Sequence, residues 1–219
     1  MKKYLEVLKK CPLFFGIDGE DILRMLHCLG AKVDNFDKKY TIFREGTPAK
    51  YVGIVLSGEA QITQNDYFGN RTILSNIKPP ELFAEAFAAA GVTSMPVSVI
   101  ATEQSEIMFI DCAHILNTCK NGCSFHHQLI YNLMKDLADK SIMFHQKIDI
   151  ISKRTTREKL LSYLMACSKK AGKKSFTIPF DRQELADYLG VDRSGLSVEI
   201  SKLRNEGILE SRKNYFKLL

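Results

Sequence analysis

The stretch Asp181-Arg-Gln-Glu-Leu-Ala-Asp-Tyr-Leu-Gly190-Val-Asp-Arg-Ser-Gly-Leu-Ser-Val-Glu-Ile200-Ser-Lys-Leu203 decides how the chain is read. Asp181 is a good helix N-cap, and Glu184 stands three residues on, where a capping box closes. Leu185, Ala186 and Leu189 then form the buried side of a short helix. Gly190 permits a tight turn and Val191 plugs it. Asp192 caps a second helix whose Leu196, Ile200 and Leu203 follow i, i+4, i+7, and Asn205-Glu206-Gly207 ends it. Two short helices, a glycine turn and a small Ala186 at their crossing make a helix–turn–helix.

The outward positions of the second helix are Arg193, Ser194, Ser197, Val198 and Ser201. Such a helix enters the major groove by its N-terminal end. Arg193 stands there with two donors for guanine O6 and N7. The small serines let the backbone approach phosphates and can donate to them. Beyond the motif, Ile208–Ser211 and Tyr215–Leu218 flank Arg212-Lys213-Asn214, a hairpin wing with a basic tip. Asp192, Arg182 and Lys213 complete the set of candidate DNA-binding residues.

Charge follows the same division. The chain has 219 residues and a net charge of +6. Residues 152–219 carry 15 Lys+Arg against 8 Asp+Glu, and residues 1–151 carry 16 against 17. The whole positive excess lies with the motif, as a phosphate-facing domain requires.

Upstream the texture changes twice. Ile22, Leu23, Leu26 and Leu29 recur at helical spacing after an acidic start at Asp18. Between Val33 and Asp111, β-rich runs alternate with turn residues: Lys39–Phe43, Tyr51–Leu56, Ala60–Thr63, Arg71–Ile77, Val97–Ala101 and Glu106–Ile110. Regular short strands of this kind predict a barrel or roll. From about Phe125 to Ser152 there is neither Pro nor Gly. There Ile130, Leu133, Leu137, Phe144 and Ile148 give a coiled-coil-like seam. A helix this long needs a partner, and a second copy is the simplest. The expected organisation is α+β: a β-roll sensor over 1–124, a long dimerisation helix and hinge over 125–152, and a winged helix–turn–helix over 153–219.

Several classes fall away. Composition is ordinary globular, which excludes a disordered or collagen-like chain. No apolar run approaches the roughly 18–20 residues of a membrane span. The start Met1-Lys2-Lys3-Tyr4-Leu5-Glu6 has no apolar segment of a secretory signal, so the chain is expected in the cytoplasm. The six cysteines are scattered and read as thiols. Cys119, Cys123, His126 and His127, with Cys112 and His114 nearby, match no standard metal knuckle and read as buried thiols and surface imidazoles. There is no phosphate-cradling glycine loop or nucleophile elbow, and no pair of carboxylates at recognisable spacing, so no enzyme is expected.

The order of β-roll, long helix and winged helix–turn–helix resembles the Crp/Fnr transcription regulators over essentially the whole chain. Arg182-Gln-Glu-Leu-Ala186, Leu189-Gly190-Val191-Asp-Arg-Ser194, Leu203 and Glu206-Gly-Ile-Leu209 are similar to that family's helix–turn–helix signature. Ile42-Phe-Arg-Glu-Gly46 and Ile54-Val-Leu-Ser-Gly-Glu59 are similar to its cyclic-nucleotide-binding roll, a jelly-roll or double-stranded β-helix. The resemblance implies a homodimer on a near-palindromic double-stranded DNA site, contact with RNA polymerase, and a small-molecule effector bound at the roll.

It also implies where that effector would sit. Family members that bind cyclic nucleotides hold the ribose on a Phe-Gly-Glu turn and the phosphate on an Arg-Ser pair. Here these positions are Phe83-Ala84-Glu85 and Met95-Pro96, and the adenine-facing positions of the long helix fall on Lys140 and Ser141. Glu85 persists but the phosphate-holding arginine does not, and a buried cyclic phosphate without a cation is poorly compensated for its lost hydration. Cyclic AMP is therefore not expected, and the effector stays unknown. The iron–sulfur branch uses a tight N-terminal cysteine cluster that Cys11 and Cys28 do not make, so no cluster is expected. On the reading helix Arg193 is retained, but Ser194 and Val198 depart from the cyclic-AMP receptor, which implies a different half-site. Two alternatives stand beside this reading. One is a regulator that needs no effector. The other is a ligand-binding or structural module whose helix–turn–helix serves protein contacts.

Overall fold

The computed structural model describes residues 1–65, 67, 71–117 and 125–219. They group into two units, Met1–Asp139 and Lys140–Leu219.

In the first unit, α1 (Leu5–Leu8) and α2 (Gly19–Cys28) precede eight strands. These are β1 (Lys32–Phe36), β2 (Thr41–Phe43), β3 (Tyr51–Ser57), β4 (Ala60–Asn65), β5 (Arg71–Ile77), β6 (Leu82–Phe83), β7 (Ser98–Ala101) and β8 (Ser105–Asp111). A short α3 (Glu85–Ala89) lies between β6 and β7, and α4 (Cys112–Leu116) follows β8. The strands form two antiparallel four-stranded sheets of order β1-β8-β3-β6 and β2-β7-β4-β5, a jelly roll.

Side-chain alternation along β3 and β8 divides the interior in two. Val52, Ile54, Leu56, Met108 and Ile110 pack with Leu8, Phe14, Ile22 and Leu26 of the N-terminal segment and with Leu129 and Leu133. Val55, Ile107 and Phe109 turn the other way, toward Val99 and Ile62 of the opposing sheet. The strands β1 and β6 and the helices α3 and α4 were not foreseen. Lys32-Val-Asp-Asn-Phe36 is mostly exposed at the edge of its sheet and so lacks a readable apolar face.

The long helix α5 (His126–Ile151) forms within the expected limits. Its buried side differs from the expected seam. Leu133 is 1% exposed in the core of its own unit, and Leu137 packs against that core. Leu133 is therefore closed to a partner, and Leu137 keeps only part of its surface outside the core. Asn132 fixes this face, donating to the carbonyls of Leu13 (3.0 Å) and Phe15 (2.8 Å) and accepting from Gln128 (2.9 Å). Phe144 and Ile148 are exposed, as are Tyr131, Met134, Ile142 and Met143; Ile130 is half-buried. The helix carries two apolar faces, and the sequence spacing had merged them.

The second unit holds α6 (Thr156–Ala171), β9 (Ser175–Thr177), α7 (Arg182–Leu189), α8 (Arg193–Asn205) and the hairpin β10 (Leu209–Arg212)–β11 (Tyr215–Leu218). Thr155 closes a capping box with Glu158 at the start of α6. The core joins Leu160, Leu164, Leu185, Leu189, Leu196, Leu203 and Phe216. Ile150 belongs to it too, so the end of α5 is packed on the winged domain. Just above, the Lys147 ammonium lies 4.8 Å from the Tyr188 ring centre, and burial pulls its pKa down.

Candidate DNA-reading surface and sensor pocket

The reading surface is built by caps and one buried row. Asp181 and Glu184 form the reciprocal capping box of α7. Gly190 takes a left-handed conformation (φ +60°), and the Val191 N–H closes back on Ala186 at 3.0 Å. This turn is where the glycine is required. Asp192 caps α8, accepting from the Gly195 N–H at 2.8 Å. Bonds from Ser194 and Gly195 hold its carboxyl below the usual range. Leu196, Ile200 and Leu203 are buried, with Ala186 fully buried in the same core.

The opposite side of α8 presents Arg193, Ser194, Ser197, Val198 and Ser201, all exposed. Their hydroxyls are already committed. Ser194 donates to the Asp192 carboxylate, Ser197 to the Arg193 carbonyl (3.0 Å) and Ser201 to the Ser197 carbonyl (3.0 Å). Each hydroxyl thus has an acceptor within its own helix turn, with which a phosphate would compete for the proton. Arg182 also differs from its expected role. It is half-buried, with its guanidinium 5.0 Å from the Phe216 ring centre, so it packs α7 on the wing strand. Burial and Arg204 lower its pKa. Lys213 stands exposed at the wing tip with φ +53°.

One residue escaped the sequence reading. Arg157, second in α6, donates to both oxygens of Glu206 (2.9 and 2.5 Å) and reaches Glu199 at 3.4 Å. Forty-two and forty-nine residues separate these partners from it, so no local pattern marks the contact.

On the roll, Phe83 and Ala84 sit between the sheets with Val55, Ala60, Ile77, Val99 and Ile107. Ala84 holds φ +61°, the conformation for which a glycine would be chosen, and its carbonyl accepts from Ala88 at the start of α3. Glu85 is buried at the first position of α3, and Met95 and Val97 are buried as well. The Met95 backbone donates to Thr47 (2.9 Å) and accepts from Gly46 (2.8 Å). Pro96 is exposed and does not line this interior. Lys140, half-buried, and Ser141, exposed, belong to the second unit. Cys119 and Cys123 lie outside the described residues. His126 is buried, not a surface imidazole, and bonds the Ile115 carbonyl through Nε2 (2.8 Å). Among the described residues no group of three or more His, Cys, Asp or Glu could hold a metal, and no helix is long and apolar enough to cross a membrane.

A jelly roll with an interior rim, a long helix and a winged helix–turn–helix define a DNA-binding regulator with a sensor domain. Known proteins agree. Residues 33–121 match the cyclic nucleotide-binding domain, and residues 158–219 match the Crp-like helix-turn-helix domain. The transcriptional activator protein FnrL of Cereibacter sphaeroides is 21% identical over 184 residues, covering 77% of this chain and 68% of that protein. Among solved structures, OCPA-complexed CprK superposes with a TM-score of 0.71 at 14% identity, over 91% of each chain. The c-di-GMP responsive regulator CLP of Xanthomonas campestris gives 0.65 at 19% identity, over 92% of this chain and 99% of that one. The chain belongs to the Crp/Fnr family of transcription regulators.

Proposed function

We propose that the chain acts as a homodimer on a near-palindromic DNA site, under control of a small molecule other than cyclic AMP. The observation that carries the DNA half is α8 itself, buried along one row and exposed along Arg193, Ser197, Val198 and Ser201. Arg193 would read guanine, and Val198 would contact a thymine methyl. Lys213 would meet the phosphate backbone.

Assembly would use the exposed face of α5. Tyr131, Met134, Ala138, Ser141, His145 and Ile148 are all exposed and spaced 3, 4, 3, 4 and 3 apart, the spacing of a two-stranded seam. Phe144 and Ile142 would flank it. Two winged domains would then meet successive major grooves about 34 Å apart.

For the effector, the apolar burial of Met95 beside the persistence of Glu85 favours a ligand that is not a cyclic phosphate. Proteins of similar fold differ in the small molecule they are described with: CprK was solved with OCPA, and CLP is c-di-GMP responsive. The chain would act by binding, without catalysis, and would reach RNA polymerase from its DNA site in the cytoplasm. A mobility shift on the DNA upstream of its own gene, together with calorimetry against cyclic AMP and cyclic GMP, tests both halves. A retarded complex with no nucleotide heat supports the proposal. Micromolar or tighter nucleotide binding overturns the effector half.

A further inference from the structure

We infer that Arg157 is the positioning residue for the reading helix: it holds α8 at a fixed angle to the start of α6, and sequence discrimination depends on it. The inference rests on the DNA-binding reading and adds to it, because Arg157 grips carboxylates of α8 rather than standing on its exposed reading row.

The buried row Leu196, Ile200 and Leu203 holds α8 along one line, which leaves tilt about that line weakly set. Arg157 supplies a lateral hold. Its guanidinium meets both oxygens of Glu206 and also Glu199, whose side chain is only 15% exposed. Glu199 and Glu206 are seven residues apart, about 10 Å along the helix. The hold therefore spans two turns.

Glu206 is the C-cap of α8, where the helix dipole disfavours a carboxylate. Arg157 offsets this, and its fork geometry fixes direction as well as charge. Its own backbone is anchored by the Thr155–Glu158 capping box beside it.

Leverage makes the hold matter. The side-chain tips of a helix stand about 5–6 Å from its axis, so a roll of about 10° about the buried row moves the Arg193 side chain by about 1 Å. A bidentate base contact does not tolerate such a displacement.

The test begins with a site selected from random duplexes by the wild-type protein. Affinity for that site and for a scrambled duplex is then measured at one salt concentration, with the active fraction counted by titration. Arg157→Lys keeps the charge and loses the fork, so it should lower the ratio of the two affinities about fivefold or more, while scrambled-duplex affinity changes less than about twofold. Arg157→Ala should lower the ratio at least as far. The exchange Arg157→Glu with Glu206→Arg should recover part of it. A wild-type ratio in Arg157→Lys, whatever its melting temperature, overturns the assignment. A wild-type protein that enriches no sequence overturns the DNA-binding reading itself.

Discussion

The ring of Phe83 occupies the space where Gly53 would carry a side chain. The two are paired across β3 and β6, and a Cβ on Gly53 would stand 2.1 Å from Phe83 Cζ. Phe83 is 1% exposed and leads directly into Ala84 and Glu85, so the seat on Gly53 also places the turn that starts α3.

Gly53→Ala should therefore destabilise the roll by about 1–3 kcal/mol, the usual cost of overpacking. Adding Phe83→Leu should recover part of that loss, because the smaller side chain vacates the space. Denaturant unfolding of the two single variants and the double variant checks this; strictly additive losses would show that the two positions do not compete.

Ala84 carries the left-handed strain that a glycine would avoid. Ala84→Gly should raise stability by about 0.5–1 kcal/mol net of the added chain entropy. A drop in the unfolding midpoint would mean that the Ala84 methyl, buried between the sheets, contributes more by packing than its backbone costs.

The two faces of α5 should respond oppositely. Leu133→Ala removes a buried side chain and should cost about 2–5 kcal/mol of stability with the assembly state retained. Ile148→Asp, on the exposed face, should leave melting of the isolated chain unchanged and give monomers. Sedimentation showing an Ile148→Asp dimer would remove that face from the seam.

How much of this was legible depends on whether the determining contacts are local. Asp181, Glu184, Gly190 and Asp192 signal through caps and turns within a few residues, and the structure places each as read. The strand runs at Tyr51, Ala60, Arg71, Val97 and Glu106 were readable for the same reason, whereas the two-residue β6 was too short to show a pattern. Which face of α5 is buried was not, because Leu133 and Ile148 are both strongly apolar and only the N-terminal segment, packed on Leu129 and Leu133, distinguishes them. The role of Arg182 also depends on a distant partner, Phe216. Arg157 and the Gly53–Phe83 contact are tertiary in the same sense.

The Arg157–Glu206 pair has a definite acid dependence. Arg157 holds the Glu206 carboxyl below its ordinary 4.5, so the stability it contributes is present above that pH and is lost as pH falls through the depressed value. The midpoint difference between wild type and Arg157→Ala should be largest above pH 4.5 and shrink below it. Urea titrations at several pH values check this; a difference that grows on acidification would contradict it.

The central claim is that α8 reads base sequence, with Arg193 as its principal reader. Selection of random duplexes by wild type and by Arg193→Ala, followed by affinity measurement on the enriched site and its guanine-substituted versions, tests it most directly. The predicted result is a near-palindrome with two half-sites one helical turn apart, in which Arg193→Ala loses about 1–3 kcal/mol and ceases to distinguish one guanine per half-site. Unchanged affinity and unchanged base preference in Arg193→Ala would contradict it.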